Sequence, residues 1–350
     1  MARGVRKKSQ SITIETVARR AGVSAMTVSN VLNNAKPVRD ATREAVMQAV
    51  RELNYTPNLA ARSLARADTT RIGLLVSRDE FSFTGSVLGG AVEATSALGA
   101  QLMVRRLDVQ SQETVLAAVH ELVGSGAAGI VLPGVYADLI RDELRASRVA
   151  VPVVAASPGD SLAGIRSIRI DDEGAAHDIT AHLIGLGHRR IGFLRANPFH
   201  LIHRTRYQGY CRALAEAGLP YDDTLVVTSP LSFEAAMDAA GAFLDRPDRP
   251  TAIFASNDDT AAAIVAMAHK RGIKVPQDLS VAGFDDSPLA VRMWPRLTTV
   301  RQPITEIACR ATELAVALAR SPEMSDDQQS VHLEHRIIVR ESTAAPPEAG

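Results

Sequence analysis

Between residues 13 and 53, apolar side chains recur at three- and four-residue spacing in three short blocks, the period of amphipathic helices. Ile14, Val17, Ala18 and Ala21 make the first block, with Thr13 placed as its N-cap, Glu15 near its positive end and Gly22 as its stop. Ser24 is a second N-cap signal, before Val28, Val31 and Leu32. Ala45, Val46, Ala49, Val50 and Leu53 form a third stripe that would roof the other two. Helix, tight turn and helix is the helix-turn-helix arrangement. Pro57 biases Thr56 away from helical angles and closes the third helix. The next stretch, Leu59 to Arg66, is rich in helix formers but too short to hold a helix alone in water, so it is expected to order only in a complex.

From Arg71 the pattern changes to short apolar runs separated by helical stretches. Strands are expected at 72–76, 102–107, 129–132, 153–156 and 167–171, then at 191–194, 225–227, 252–255 and 280–284. This alternation predicts parallel sheets covered by helices on both faces. The segments starting at Thr70 and Arg189, Thr-Arg-Ile-Gly-Leu-Leu-Val and Arg-Arg-Ile-Gly-Phe-Leu-Arg, are alike and suggest two similar lobes. Ligands of such sheets bind beyond the carboxyl ends of the strands, which places a cleft between facing lobes.

Charge sharpens this division. The 350 residues carry 39 Lys and Arg against 39 Asp and Glu. The balance is a cancellation: residues 1–70 hold twelve basic against five acidic residues, a surplus of seven that the remainder offsets. A basic helical module on an acidic body points to an anionic partner at one end. A three-helix protein-binding module fits the helices too, but the charge favours DNA. The second helix would then enter the major groove, with Ala25, Met26 and Asn30, which the apolar stripe does not need, at base edges. Thr27, Ser29 and Asn33 suit phosphates.

In the body, polar residues end the later strands: Asn257 and Asp258 after one, Asp285 and Asp286 after another. Amide and carboxylate groups meeting in a cleft suit a polyhydroxylated ligand, and Arg206 adds a forked donor. Asp285 and Asp286 are not read as a catalytic pair, since sequence neighbours rarely oppose each other across a substrate. Gly85 to Gly90 matches no nucleotide-binding loop. His332 and His335 fit an exposed strand edge better than a metal site, and His188 a structural hydrogen bond. Cys211 and Cys309, in apolar helical patterns, are expected to be buried free thiols of a reducing compartment. With no membrane span and no leader pattern, the expectation is a cytoplasmic protein with no cofactor, no metal and no catalytic residue.

The run from Thr13 to Asn33, Thr-Ile-Glu-Thr-Val-Ala-Arg-Arg-Ala-Gly-Val-Ser-Ala-Met-Thr-Val-Ser-Asn-Val-Leu-Asn, resembles the DNA-binding headpiece of the lactose-repressor/galactose-repressor (LacI/GalR) family of bacterial regulators. The body resembles that family at Gly187 to Ile191, Arg206 to Tyr210, Ser256 to Asp258, Val281 to Asp286 and Leu297 to Pro303. The resemblance implies an all-α helix-turn-helix headpiece (1–57), a hinge helix or linker (58–70) and an α/β two-lobed, periplasmic-binding-protein-like effector and dimerisation domain of two parallel-sheet, Rossmann-like subdomains (71–342), with a disordered tail (343–350). Two departures are visible, Asn30 where most members carry Arg and Arg39 where many carry a Ser cap. Leu64 matches a leucine that wedges into the minor groove. Thr13, Ser24, Tyr55, Asn58 and Ala61 complete the expected DNA-binding set. Carried over by position, Arg206, Asn257 and Asp285 are the expected effector contacts, joined by Ser77, Phe83, Ser157 and the ring of Phe233.

The expectation is therefore a transcriptional regulator, a repressor, whose binding to a pseudopalindromic operator is controlled by a small sugar or sugar derivative. A homodimer is expected rather than a tetramer, because the tail after Ser342 has no heptad pattern. A sugar-active enzyme with a nucleic-acid anchor and an architectural DNA protein are the rival readings. The body lacks a nucleophile and base constellation for the first, and operator affinity indifferent to sugars would mark the second.

Overall fold

The computed structural model describes residues 13–33, 38–53, 55, 70–77, 81–107, 111–159, 164–196, 200–230, 232–321 and 330–347. The chain divides into two compact units, Met1–Thr69 and Thr70–Gly350.

In the first unit, α1 (Ile14–Ala21) starts at Thr13, whose side chain accepts from the backbone of Thr16 while Thr16 reaches back, and it ends at Gly22 with φ 70°. Helices α2 (Ala25–Asn33) and α3 (Asp40–Glu52) follow. Val17, Ala18, Val28, Val31, Val46 and Ala49 form a small buried core, with Ile14, Ala21, Leu32, Val50 and Leu53 packed around it. Arg39 occupies the N-cap of α3 without a side-chain bond, and Asp40 in the first turn partly offsets that loss. Arg20 pairs with Glu52 and ties α1 to α3.

The second unit holds two six-stranded sheets. The first lobe runs β1 (Arg71–Ser77), α4 (Phe81–Leu98), β2 (Gln101–Leu107), α5 (Gln112–Gly124), β3 (Gly129–Pro133), α6 (Gly134–Leu139), α7 (Arg141–Arg145), β4 (Val153–Ala156) and β5 (Arg166–Arg169). The second runs α8 (Asp172–Gly185), β6 (Ile191–Arg195), α9 (Leu201–Glu216), β7 (Val226–Thr228), α10 (Phe233–Leu244), β8 (Ala252–Ala255), α11 (Asp258–Lys270), β9 (Ser280–Asp285), α12 (Pro288–Arg292) and β10 (Thr298–Arg301). The chain then returns: α13 (Ile304–Arg320) packs on α4 and on β3, β4 and β5, and β11 (Ser330–His332) pairs with β5. Last, β12 (Arg336–Ile338) crosses back to pair antiparallel with β10.

The sheet orders are β11-β5-β4-β3-β1-β2 and β12-β10-β9-β8-β6-β7. Every other pairing in them is parallel. Three connections therefore join the lobes among the described residues, near Asp171, at Gln302-Pro303 and at residues 333–335. Each lobe contains one very close helix pair. A Cβ at Gly90 would overlap the carbonyl oxygen of Thr305 in α13, and one at Gly209 would overlap that of Glu173 in α8.

Several expectations meet corrections. Thr298–Arg301 is a central strand, hidden from pattern reading by its two threonines, whose buried hydroxyls are satisfied by partners distant in sequence: Thr298 donates to the carbonyl of Arg340, Thr299 to Asp258. Cys211 and Cys309 are free but only half-buried. The tail does not begin at residue 343 as a disordered segment: the Thr343 hydroxyl lies 2.9 Å from that of Thr298, and the carbonyl of Ala344 is 2.9 Å from His188 Nε2. His188 also contacts the hydroxyls of Thr251 and Ser280, which makes it a structural clasp of that tail. His332 ends β11 on a sheet edge, and His335 bonds Asp178 at 2.9 Å.

Candidate functional site

In the helical unit, Val28 and Val31 turn one face of α2 into the core, which leaves Met26 72% exposed at its N-terminal end. Ala25, Ser29 and Asn30 lie at intermediate exposure beside it. Ser24 Oγ accepts from the backbone of Thr27 at 3.1 Å and lies 2.9 Å from the Thr27 hydroxyl, so these two side chains act first on each other as a cap. Tyr55 is half-buried against the helical core, and its N–H donates to the carbonyl of Val50. The backbone of Asn33 ends α2. Asn58, Ala61 and Leu64 lie outside the described residues.

In the larger unit, a cavity of about 50 Å³ opens between the lobes at the carboxyl ends of their strands. Phe83 of α4, Val135 of α6 and Ser157 after β4 face it from the first lobe. His203 and Arg206 of α9, Asn257 and Asp259 at the start of α11, Asp285 at the end of β9 and Gln302 in the second connection face it from the other side. Five of the seven expected effector contacts are thus brought together: Phe83, Ser157, Arg206, Asn257 and Asp285.

The other two are not. Ser77 is buried beside a smaller apolar cavity behind Phe83 and Val135. Phe233 is the first residue of α10 after its N-cap Ser232, 40% exposed, at the head of the stripe Ala236, Ala240, Phe243 and Leu244. Its ring is exposed and does not line the cleft.

The polar side chains hold one another in a chain across the cleft. Arg206, 3% exposed, donates from Nε to Asp172 Oδ1 at 2.9 Å and from Nη1 to the carbonyl of Ser256 at 2.7 Å. Its Nη2 lies 4.0 Å from Asp285, and its guanidinium sits 3.6 Å over the ring of Phe284. Gln302 donates to Asp285 Oδ1 at 2.6 Å and accepts from the Ser157 hydroxyl at 3.2 Å. Asn257 caps α11, its Oδ1 accepting from the N–H and hydroxyl of Thr260, a cap that does not use its Nδ2 donor. Asp258 turns away and accepts from Thr299 and the backbone of Ser287, both at 2.6 Å.

Three residues here adopt left-handed backbone without being glycine: Ser157 (φ 57°), Asp285 (φ 116°) and Asp286 (φ 54°). Such conformations cost on the order of 1–3 kcal/mol each and persist where surrounding contacts over-determine them. Their effect is to split the two aspartates. Asp285 joins the cleft, while Asp286 accepts from Arg301 at 2.6 Å and Arg340 at 2.5 Å.

Burial sets the protonation of these groups. Desolvation pushes Asp285 up to about 7, against the pull of the nearby Arg206. It also raises Asp172, wholly buried, though Arg206 pulls it back. Asp259 is raised by desolvation, and His203 is held well below the ordinary imidazole range by burial and by the adjacent Arg206. Asp172, His203, Asp259 and Gln302 are absent from the sequence-derived set. His203 lies one helical turn before Arg206 and Asp259 follows Asn257 by two, so spacing could have found both. Gln302 sits within a run already singled out. Asp172 carries no sequence signal, because only packing places it under Arg206.

Residues 13–58 match bacterial regulatory proteins of the lacI family, and residues 180–343 match a periplasmic binding protein-like domain. The chain is similar to catabolite control protein A of Priestia megaterium, at 33% identity over 95% of this chain and 99% of that protein. The HTH-type transcriptional regulator GalR of Escherichia coli (strain K12) is 36% identical over 88% of this chain and 89% of its own. Among solved structures, the lac repressor dimer bound to operator and the anti-inducer ONPF superposes with a TM-score of 0.76 at 26% identity, covering 96% of this chain and 100% of that one. The complex of the transcriptional regulator CelR with cellobiose gives 0.69 at 30% identity, covering 94% and 99%. No helix among the described residues is long and apolar enough to cross a membrane.

Proposed function

Because this chain belongs to the lacI family of bacterial regulatory proteins, we propose that it is a sequence-specific DNA-binding transcriptional regulator, a repressor, controlled by a small sugar or sugar derivative held in the cleft between its lobes. The carrying observation is the part of α2 that the core leaves uncovered, Met26 exposed in its first turn beside the half-buried Ala25, with the half-buried Asn30 one turn further along, in a unit of net positive charge. Asn30 offers the paired donor and acceptor that read adenine, and Ala25 and Met26 offer apolar surface for a thymine methyl. Thr13, Ser24, Thr27, Ser29, Asn33, Tyr55, Asn58 and Ala61 are assigned to the phosphate backbone and its flanks. Leu64 is assigned to a minor-groove wedge in the operator complex, and residues 58–70 to the hinge that carries it.

A homodimer on a pseudopalindromic operator fits this geometry, since two-fold protein symmetry mirrors the half-sites, and the similar lac repressor is a dimer on its operator. The protein acts in the cytoplasm, on the nucleoid, and by binding without catalysis: the two adjacent carboxylates diverge, Asp285 to the amide of Gln302 and Asp286 to Arg301 and Arg340, instead of flanking one substrate.

Arg206, Asn257, Asp285, Ser157 and Phe83 are assigned to the effector. The cavity between the lobes is far below the roughly 300 Å³ of a typical small-molecule site. A sugar must therefore shift side chains or lobes to enter, and it changes operator affinity only by the difference in its affinity for the two arrangements. The test is selection of genomic fragments by the purified protein, followed by sequencing and by operator titration with and without a sugar panel. A shared inverted-repeat sequence released or tightened by one sugar is expected. Fragments with no common sequence would overturn the regulator, and operator affinity indifferent to every sugar would overturn the control.

A further inference from the structure

The charges around the cleft do not balance. Arg206 is the only cation among its described lining residues, and its guanidinium is already committed to Asp172, to the carbonyl of Ser256 and to the face of Phe284. Two further carboxylates, Asp259 and Asp285, line the same space. Asp259 forms no ion pair among the described residues, and Asp285 stands 4.0 Å from the guanidinium that Asp172 neutralises. His203, 4% exposed, also lines the cavity, and its Nδ1 has no hydrogen-bond partner.

Resting on the reading of this cleft as the effector site, we infer that the effector is an uncharged polyol bearing neither phosphate nor carboxylate, and that Asp259 is a specificity residue that turns anionic counterparts away. Hydroxyl groups match what the walls offer. They donate to Asp285, Asp259 and an imidazole nitrogen, and they accept from the Asn257 amide. Among the described lining residues a phosphate or carboxylate would meet two acids and no uncommitted cation, in a site whose low dielectric magnifies like-charge repulsion. His203, held well below the ordinary imidazole range by burial and by Arg206, stays neutral and supplies no compensating positive charge, while desolvation raises Asp259 and Asp285, so their repulsion of an anion is fullest above pH 7 and the comparison is made at pH 8.

The experiment measures binding of matched sugar pairs to the full chain by calorimetry: glucose with glucose 6-phosphate, ribose with ribose 5-phosphate, galactose with galacturonate, and cellobiose with cellobionate. A neutral member is expected to bind at least tenfold more tightly than its anionic counterpart. In Asp259→Asn, and independently in Asp259→Ser should the first fold poorly, that ratio should shrink by roughly tenfold, as expected for removing one close like charge. An anionic member that binds best and shifts operator affinity would overturn this inference while leaving sugar control intact. An unchanged ratio in a folded Asp259 variant would remove Asp259 from the account. Silence from every pair, with operator binding retained, would overturn sugar control and this inference together.

Discussion

An Arg206→Met substitution strands the carboxylate of Asp172. That residue is 0% exposed, its Oδ1 loses the 2.9 Å donor from Arg206, and its Oδ2 already has no partner. Taking one member out of a buried ion pair costs about 3–5 kcal/mol when the survivor stays charged. A carboxylate can escape by binding a proton. Burial already holds Asp172 above its ordinary value against the pull of Arg206, with Arg169 and Asp171 as weaker influences, and losing the guanidinium raises it further.

A raised folded value means the native state keeps a proton that the unfolded chain has released. The associated stability is complete below the unfolded value near 4 and is lost at about 1.4 kcal/mol per pH unit until the folded value is passed. The gap between variant and parent should therefore be about 3–5 kcal/mol at pH 8 and shrink to roughly 1–2 kcal/mol at pH 5. Urea unfolding followed by far-UV circular dichroism at both pH values measures it. Asp285, which also faces Arg206, responds in the same direction, so the comparison is repeated in an Asp285→Asn background. An Asp172→Leu/Arg206→Met double variant should recover most of the loss at both pH values. Equal losses at pH 5 and pH 8 in the single variant would refute the account.

Three further outcomes follow from the same contacts. Asp285→Asn should flatten the stability profile between pH 5 and 7, because the raised carboxyl of Asp285, among Arg206, Asp172, Asp259 and Gln302, makes the parent lose stability as pH rises toward 7; urea midpoints across that range read it. Gly209→Ala should push α8 from α9 and lower stability by about 1–3 kcal/mol, visible as a thermal shift of the larger unit. Thr13→Ala should remove about 1 kcal/mol from the helical unit through loss of the α1 cap, read as a lower melting point of its own unfolding step and weaker DNA binding.

The two periodicities carried most of the architecture. Strands at 153–156 and 252–255 fall where alternating apolar runs place them, because both are buried on two faces and read as unbroken hydrophobic stretches. The helical stripes of residues 14–53 match the buried residues of that core for the same reason. What failed to show itself depends on distant packing. The return of α13 to the first lobe leaves no local mark, and neither does the placement of Asp172 beneath Arg206. Phe233 does not line the cleft, which its sequence could not show, because an aromatic residue looks the same there whether it faces a ligand or lies exposed at the start of a helix.

The threading of the lobes bears on the order in which the protein can assemble during synthesis. The helical unit has its whole core within residues 14–55 and can fold as soon as that stretch is free. The first lobe cannot. Its strands β1 to β5 are made before residue 170, yet Ile304, Ile307, Ala308, Ala311, Ala315 and Val316 of α13 fill the same core as Ile72, Leu74 and Val131. A nascent chain therefore carries an unfinished apolar face through more than a hundred residues of further elongation, a period in which exposed hydrophobic surface invites aggregation and chaperone binding. The second lobe waits too, since β12 closes its sheet only after the first lobe is complete. Neither lobe can be excised as one contiguous fragment, and a stop codon anywhere before residue 304 leaves both without their finishing pieces.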